Sequence, residues 1–166
     1  MELNADVPYP SLEGIGEDPC SLRIISPAYA GRAGELTAIL QYVYQHILFE
    51  RMGDEEAAKT LLDISVSEMH HLEILGTLIC KLGAPPMFTN CPPYPVGYYS
   101  ASSVDYSSSP QKMLLSDIAA ERGAIATYNC MISKLSDERV AAVLQRIVLD
   151  EELHLEAFKK LLARIS

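Results

Sequence analysis

The sequence has no apolar run approaching the ~18 residues that a membrane-spanning helix requires. Positive charge is scarce: 13 Lys and Arg stand against 22 Asp and Glu, for a net charge of −9. That balance argues against nucleic acid and anionic membrane as partners. The opening stretch, MELNADVPYPSLEGIGEDPC, has neither a basic n-region nor an apolar h-region. No secretory signal is expected, and the chain reads as cytoplasmic. None of the four cysteines, Cys20, Cys80, Cys91 and Cys130, falls in a C-x-x-C pair, so neither a zinc ribbon nor a rubredoxin-type iron site can be written. Scattered single cysteines fit a reducing compartment, and Cys80 and Cys130 are expected to be small buried apolar residues.

What is present is a chain of 166 residues that is 49% hydrophobic, enough for one domain with a sizeable core. Four segments carry helical periodicity. The first opens at Ser26-Pro27, an N-cap followed by proline, and runs to about Arg51. The second runs from Asp54 to Gly83, the third from Ser109-Pro110 to about Leu135, and the fourth from Ser136 or Asp137 nearly to the C-terminus. Short joins at Met52-Gly53 and Ser136 make each pair an antiparallel hairpin. Between the pairs lies a loop rich in Pro, Tyr and Ser, residues 84–109. Extended, such a loop reaches ~85 Å, while a helix of the lengths expected here is only ~42 Å long. The predicted architecture is therefore an all-α four-helix bundle over residues 26–166, two hairpins joined by one long crossover. Residues 1–25 are expected to be an irregular arm packed on the bundle or on a partner chain.

Stepping by three and four along the last helix aligns Leu144, Ile147, Glu151, His154, Phe158, Leu161 and Ile165. Five of these are apolar, so Glu151 and His154 are expected in the core with them. The third helix gives Leu114, Asp117, Glu121, Ala124, Tyr128, Met131 and Leu135, which buries Glu121. The second gives Leu61, Ser65, Glu68, Leu72, Leu75, Ile79 and Leu82, with His71 beside the stripe, and the first gives Glu35, Ile39, Tyr42, His46 and Phe49. Within each hairpin the two glutamates lie equally far from the turn, and so at one height. The halves also repeat: EMHHLE from Glu68 matches EELHLE from Glu151, and Glu35-to-Tyr42 matches Glu121-to-Tyr128.

Ionised carboxylates cannot stay alone in an apolar interior. No Lys or Arg falls on these stripes, which leaves metal as the compensation. One Glu-x-x-His is a common helix-surface pairing. Two of them, plus a glutamate from each remaining helix, form the pattern of a dinuclear carboxylate site. The expected ligands are Glu35, Glu68, His71, Glu121, Glu151 and His154, around two ions of iron or manganese; four carboxylates are too much hard oxygen for a structural zinc. Asp117 is a candidate to orient a ligand histidine. Tyr42 and Tyr128 lie ~10.5 Å along their own helices from Glu35 and Glu121, so core packing is expected, with a gating or redox role as the alternative. His46 is expected in packing, and His70 and Glu73 as a surface pair. Glu152 faces the wrong way.

The stretches YAGRAGELTAILQY, DISVSEMHHLEILGTLICKLG, DIAAERGAIATYNCMI and RIVLDEELHLEAF resemble the ferritin-like superfamily, in its rubrerythrin and manganese-catalase branch. The similarity runs from about Ser26 to Ile165. It implies a non-haem di-iron or di-manganese oxidoreductase acting on hydrogen peroxide or dioxygen, catalase- or peroxidase-like. The Pro- and Tyr-rich loop and the N-terminal arm suggest packing as a homodimer or higher homo-oligomer. The alternatives within the resemblance are a ferroxidase or iron-binding protein and a structural relative of the spore-coat type. Two departures stand out. Ala124 occupies the place where rubrerythrins usually carry a further ligand carboxylate, and the paired cysteines of a rubredoxin-type electron relay are absent. A disproportionation cycle, in which a second peroxide supplies the electrons, needs no such relay.

Overall fold

A computed structural model describes residues 3–89 and 97–165. Helix α1 spans Pro19–Ala30, α2 Glu35–Met52, α3 Glu55–Lys81, α4 Pro110–Ile132 and α5 Glu138–Ile165, with a short 3-10 turn at Ala101–Ser103. Among the described residues there is no strand, only an isolated bridge between Thr89 and Tyr98. Among the described residues, no helix is long and apolar enough to cross a membrane. Cys91 and part of the crossover lie outside the described residues.

The bundle has the predicted all-α, ferritin-like arrangement, and side-chain pairings fix its directions. The α2–α3 hairpin turns at Gly53, which takes the left-handed conformation (φ 77°) that glycine adopts without steric cost. Asp54 then caps α3 by accepting from Ala57 N–H at 3.1 Å, and Arg164 near the end of α5 grips the same carboxylate at 2.6 and 2.7 Å. Across the bundle, Tyr42 meets Glu121 while Tyr128 meets Glu35. Helix α2 thus runs antiparallel to α4, and α3 runs parallel to α4. Only a connection travelling the length of the bundle can link α3 to α4 in that way. The crossover is tied down near both ends, by Tyr29 OH donating to Pro86 O (3.2 Å) and by Asp105 N–H donating to Gln41 Oε1 (3.0 Å).

The expected start of the first helix at Pro27 is not what forms. Pro27 lies inside a separate helix, α1, which opens at Pro19 with Asp18 as its cap; the carboxylate accepts from Cys20 N–H at 2.9 Å. Ser26 is no cap either, because its hydroxyl donates back to Leu22 O at 2.6 Å. Residues 19–25, expected to be irregular, are therefore helical. The chain then breaks at Gly31–Gly34 and restarts as α2 at Glu35. A Cβ on Gly31 or Gly34 would run into the carbonyl oxygens of Pro27 and Ala28. That close approach lets the chain re-enter the bundle directly at Glu35.

Two apolar clusters fill the interior. One contains Leu75, Leu78, Ile79, Leu144 and Ile147; the other contains Phe49, Leu61, Ile64, Leu114 and Phe158. Between them lies a polar layer. Cys80 and Cys130 do not belong to the core: both are exposed, because each falls on the outward face of its amphipathic helix.

Candidate metal centre

Each of the four long helices sends one glutamate into the polar layer. Glu35, Glu68, Glu121 and Glu151 are buried at 5%, 1%, 1% and 1% exposure, and His71 and His154 are fully buried. The heptad-like stepping that places apolar residues above and below leaves these side chains no other direction.

The donor atoms form two overlapping sets. In one, Glu35, Glu68, His71 and Glu151 each bring an atom within 4.8 Å of every other; Glu68, Glu121, Glu151 and His154 do so in the second. Glu68 and Glu151 belong to both. Glu68 turns Oε2 to His71 Nδ1 (2.7 Å) and Oε1 to His154 Nδ1 (2.9 Å). Glu151 turns Oε1 to His71 Nδ1 (3.1 Å) and Oε2 to His154 Nδ1 (3.8 Å). Several of these approaches are close without being hydrogen bonds: Glu68 Oε1, Glu151 Oε1 and His154 Nδ1 are buried with no hydrogen-bonding partner. Lone pairs that converge on shared centres while failing to bond one another are what a pair of cations requires.

The electrostatics are divided. Burial, reinforced by the neighbouring glutamates, pushes Glu35 and Glu121 well above the ordinary carboxyl range. Burial acts on Glu68 and Glu151 too, but it is outweighed, at Glu68 by the two nearby imidazoles and at Glu151 by the hydrogen bond with Glu121 and then by the imidazoles, and both are held below that range. Burial lowers the two histidines; the carboxylates facing them win, raising His71 well above its usual value and His154 to about 9. Without cations the layer is thus disposed to take up protons, at Glu35 and Glu121 and at the two imidazoles that face Glu68 and Glu151.

Tyr42 and Tyr128 are not simple core residues. Tyr42 OH donates to Glu121 Oε1, and Tyr128 OH to Glu35 Oε1. Measured along its own helix each tyrosine is remote from the layer, but it reaches the glutamate of the opposite hairpin. His46 is half-buried, with Nδ1 2.9 Å from Ala58 O. His70 and Glu73 form an exposed pair at 3.5 Å, and Glu152 is exposed.

Asp117 does not orient a histidine. It accepts from Gln41 and Gln45 Nε2 at 2.8 and 2.9 Å, both at Oδ1. Burial pushes its carboxyl from 3.8 to about 7, against the opposing hydrogen bonds of Gln41 and Gln45. Because the folded value lies above the unfolded one, its stabilising contribution is complete below pH ~4 and lost as pH rises through ~7, a change of ~4 kcal/mol at ~1.4 kcal/mol per tenfold in proton affinity. Asp117→Asn should flatten that slope. At pH 8 it should be more stable than the parent by ~1–3 kcal/mol, after subtracting the cost of an unpaired amide N–H. Urea melts at pH 5 and pH 8 measure this, and coincident slopes would refute it.

The carboxylate that does meet a histidine is Asp150, whose Oδ2 lies 3.1 Å from His71 Nε2. It also pairs with Arg146 at 2.7 Å, so an arginine is buried near the layer after all, engaged by Asp150 rather than by the four glutamates. A sequence signal existed: Val143, Asp150 and Ala157 recur every seven residues beside the main stripe, and all three are buried.

A cavity of about 170 Å³ opens between α2 and α4 onto all four glutamates. Ala33, Ala38, Ala120, Ala124, Thr37 and Thr127 line it, small side chains that leave room for a few water-sized molecules.

The ferritin-like domain pattern matches residues 32–166. A probable manganese catalase from Clostridium acetobutylicum is 25% identical over 171 residues, covering 90% of this chain and 73% of that protein. The crystal structure of KatB, a manganese catalase from Anabaena, superposes with a TM-score of 0.83 at 26% identity, covering 100% of this chain and 81% of the other. Bacterioferritin from Desulfovibrio desulfuricans, described with a di-iron site, superposes at 0.72 with 26% identity, covering 87% and 79%.

Proposed function

As a premise, the chain belongs to the ferritin-like domain family; from it we propose that the protein binds two manganese or iron ions and acts on hydrogen peroxide, most directly by disproportionation. The observation that carries this reading is the pair of overlapping donor sets joined by Glu68 and Glu151. The donor set fits two divalent ions in charge as well as geometry: four carboxylates balance two doubly charged cations, with neutral imidazoles completing each position.

Glu68 and Glu151 would span the ions, each offering one oxygen to either side. Glu35 with His71 would complete one position, and Glu121 with His154 the other. When bound, a pair of redox-active ions would supply a two-electron store. In the overall balance one peroxide gives up two electrons and two protons and leaves as dioxygen. A second takes both, its O–O bond breaks, and two waters form. The chain's part in this is positional. The small-residue cavity has room for peroxide or dioxygen. Glu35 and Glu121 line that cavity, so the ions they would hold are reached from it. Tyr42 and Tyr128 fix one oxygen of each, which leaves the other free to face the ions.

A ferroxidase is the second reading, favoured by the likeness to bacterioferritin. The two separate in one experiment: elemental analysis of protein purified without added metal, followed by peroxide addition in an oxygen electrode. About two manganese or iron ions per chain with rapid oxygen release supports disproportionation. Iron alone, with ferrous oxidation and no oxygen release, supports the ferroxidase. No metal after both ions are offered sinks the proposal.

A further inference from the structure

The two halves of the polar layer are built differently, and the difference lies outside the candidate ligands. Behind His71 stands Asp150, whose carboxylate is held from several sides. Ala5 N–H donates to Oδ1 at 2.7 Å, Tyr9 OH donates to Oδ2 at 2.7 Å, and Arg146 pairs with Oδ1 at 2.7 Å. Arg146 is in turn fixed by the arm, donating to Val7 O at 2.5 Å and to Ala5 O at 2.8 Å, with its guanidinium 4.3 Å from the centre of the Tyr9 ring. A fixed carboxylate behind Nε2–H holds His71 in one orientation and one tautomer, with the Nδ1 lone pair turned into the layer.

Behind His154 there is no counterpart. Its Nε2 is buried, and no group among the described residues accepts from it. The internal repeat that aligns Glu68 with Glu151 places Ser67 where the other half has Asp150. Ser67 is buried, and its hydroxyl turns away to donate to Asn4 Oδ1 at 2.7 Å. Thus one short stretch of the arm completes the His71 side and occupies the equivalent place on the other.

We infer that the arm, residues 4–9, is a working part of the metal centre: through Asp150 it positions His71 and makes the two ion positions unequal, with the His71 position the tighter. This rests on the two-ion reading above. Asp150 and Tyr9 are positioning residues in this scheme, since neither faces the shared centre. A purely structural role for the Asp150–Arg146 pair would weaken both positions together or lower stability, and would leave their ratio unchanged.

The test is to strip the full chain with a chelator, restore one equivalent of manganese(II), and measure the occupancy of each position by anomalous diffraction. Loss of such a partner carboxylate typically costs ten- to a hundredfold in affinity, so the expected preference for the His71 position is about tenfold. Tyr9→Phe keeps the ring against Arg146 and removes only the hydroxyl that holds Asp150. It should reduce the preference about three- to tenfold, the effect of one lost hydrogen bond. Asp150→Asn should abolish the preference, but it leaves Arg146 without its partner charge, so Tyr9→Phe carries the decision. Equal occupancy in the parent chain, or an unchanged ratio in Tyr9→Phe, overturns the inference while leaving the two-ion site standing. No manganese at either position overturns the two-ion reading itself.

Discussion

Glu68→Gln should empty both metal positions, whereas Glu35→Gln should empty only one. Both glutamates are buried on the same layer and both substitutions are nearly isosteric, so burial and volume predict equal effects. Geometry does not. Glu68 presents one oxygen to His71 and the other to His154 and belongs to both donor sets, while Glu35 belongs to the His71 set alone. An amide in place of Glu68 offers one neutral oxygen and one N–H donor, so one side of the pair meets a donor instead of a lone pair. Removing one of four balancing charges weakens the remaining position further. Offered excess manganese or iron, the parent should hold about two ions per chain, Glu35→Gln about one and Glu68→Gln well under one. Oxygen release from peroxide should fall by on the order of a hundredfold or more in Glu68→Gln. Elemental analysis and an oxygen electrode check both outcomes, and far-UV circular dichroism checks the fold. Equal loss in the two variants would refute the spanning role of Glu68.

How much of this was legible in the sequence depends on the range of the interaction involved. The stripes through Glu68, Glu121 and Glu151 follow from helical period alone, and burial follows the predicted stripes closely. The common height of Glu35 and Glu68 follows from counting residues to a turn. What sequence missed are contacts between hairpins. Tyr42 looked remote from the layer because its distance was measured along α2, while its hydroxyl acts across the bundle on Glu121. The stripe position of Asp117 makes it a candidate to orient a histidine or to meet solvent, but two glutamines of α2 reach it first. The break before Glu35 escaped because Ser26-Pro27 is locally a good helix start; only the close packing of Gly31 and Gly34 on Pro27 and Ala28 shows that α1 ends there. Asp150 escaped because the partners that give it meaning, Ala5 and Tyr9, lie some 140 positions away.

Bound metal should raise the stability of this fold by several kcal/mol, and its contribution should grow with pH. Two ions that bind only the folded chain, each at a free concentration a hundred times its dissociation constant, contribute ~2.7 kcal/mol apiece. For a chain of this size that corresponds to a rise in Tm of roughly 10–20 °C. The sign of the pH effect follows from the protons already in the layer. Glu35, Glu121, His71 and His154 all have raised proton affinities in the metal-free fold, His154 to about 9. A cation must displace those protons, because it needs ionised carboxylates and neutral imidazoles. Raising the pH removes the competitor, so the gain in Tm on adding manganese(II) should be small at pH 6, larger at pH 7 and larger again at pH 8. The metal-free protein runs the other way, since groups with raised values in the folded state stabilise it most when protonated and lose that contribution as pH rises through those values. Differential scanning calorimetry with chelator and with manganese at the three pH values separates the two trends. A gain that stays flat or shrinks with rising pH would mean that the ions do not compete with protons for these six side chains, and the ligand set would have to be sought elsewhere in the bundle.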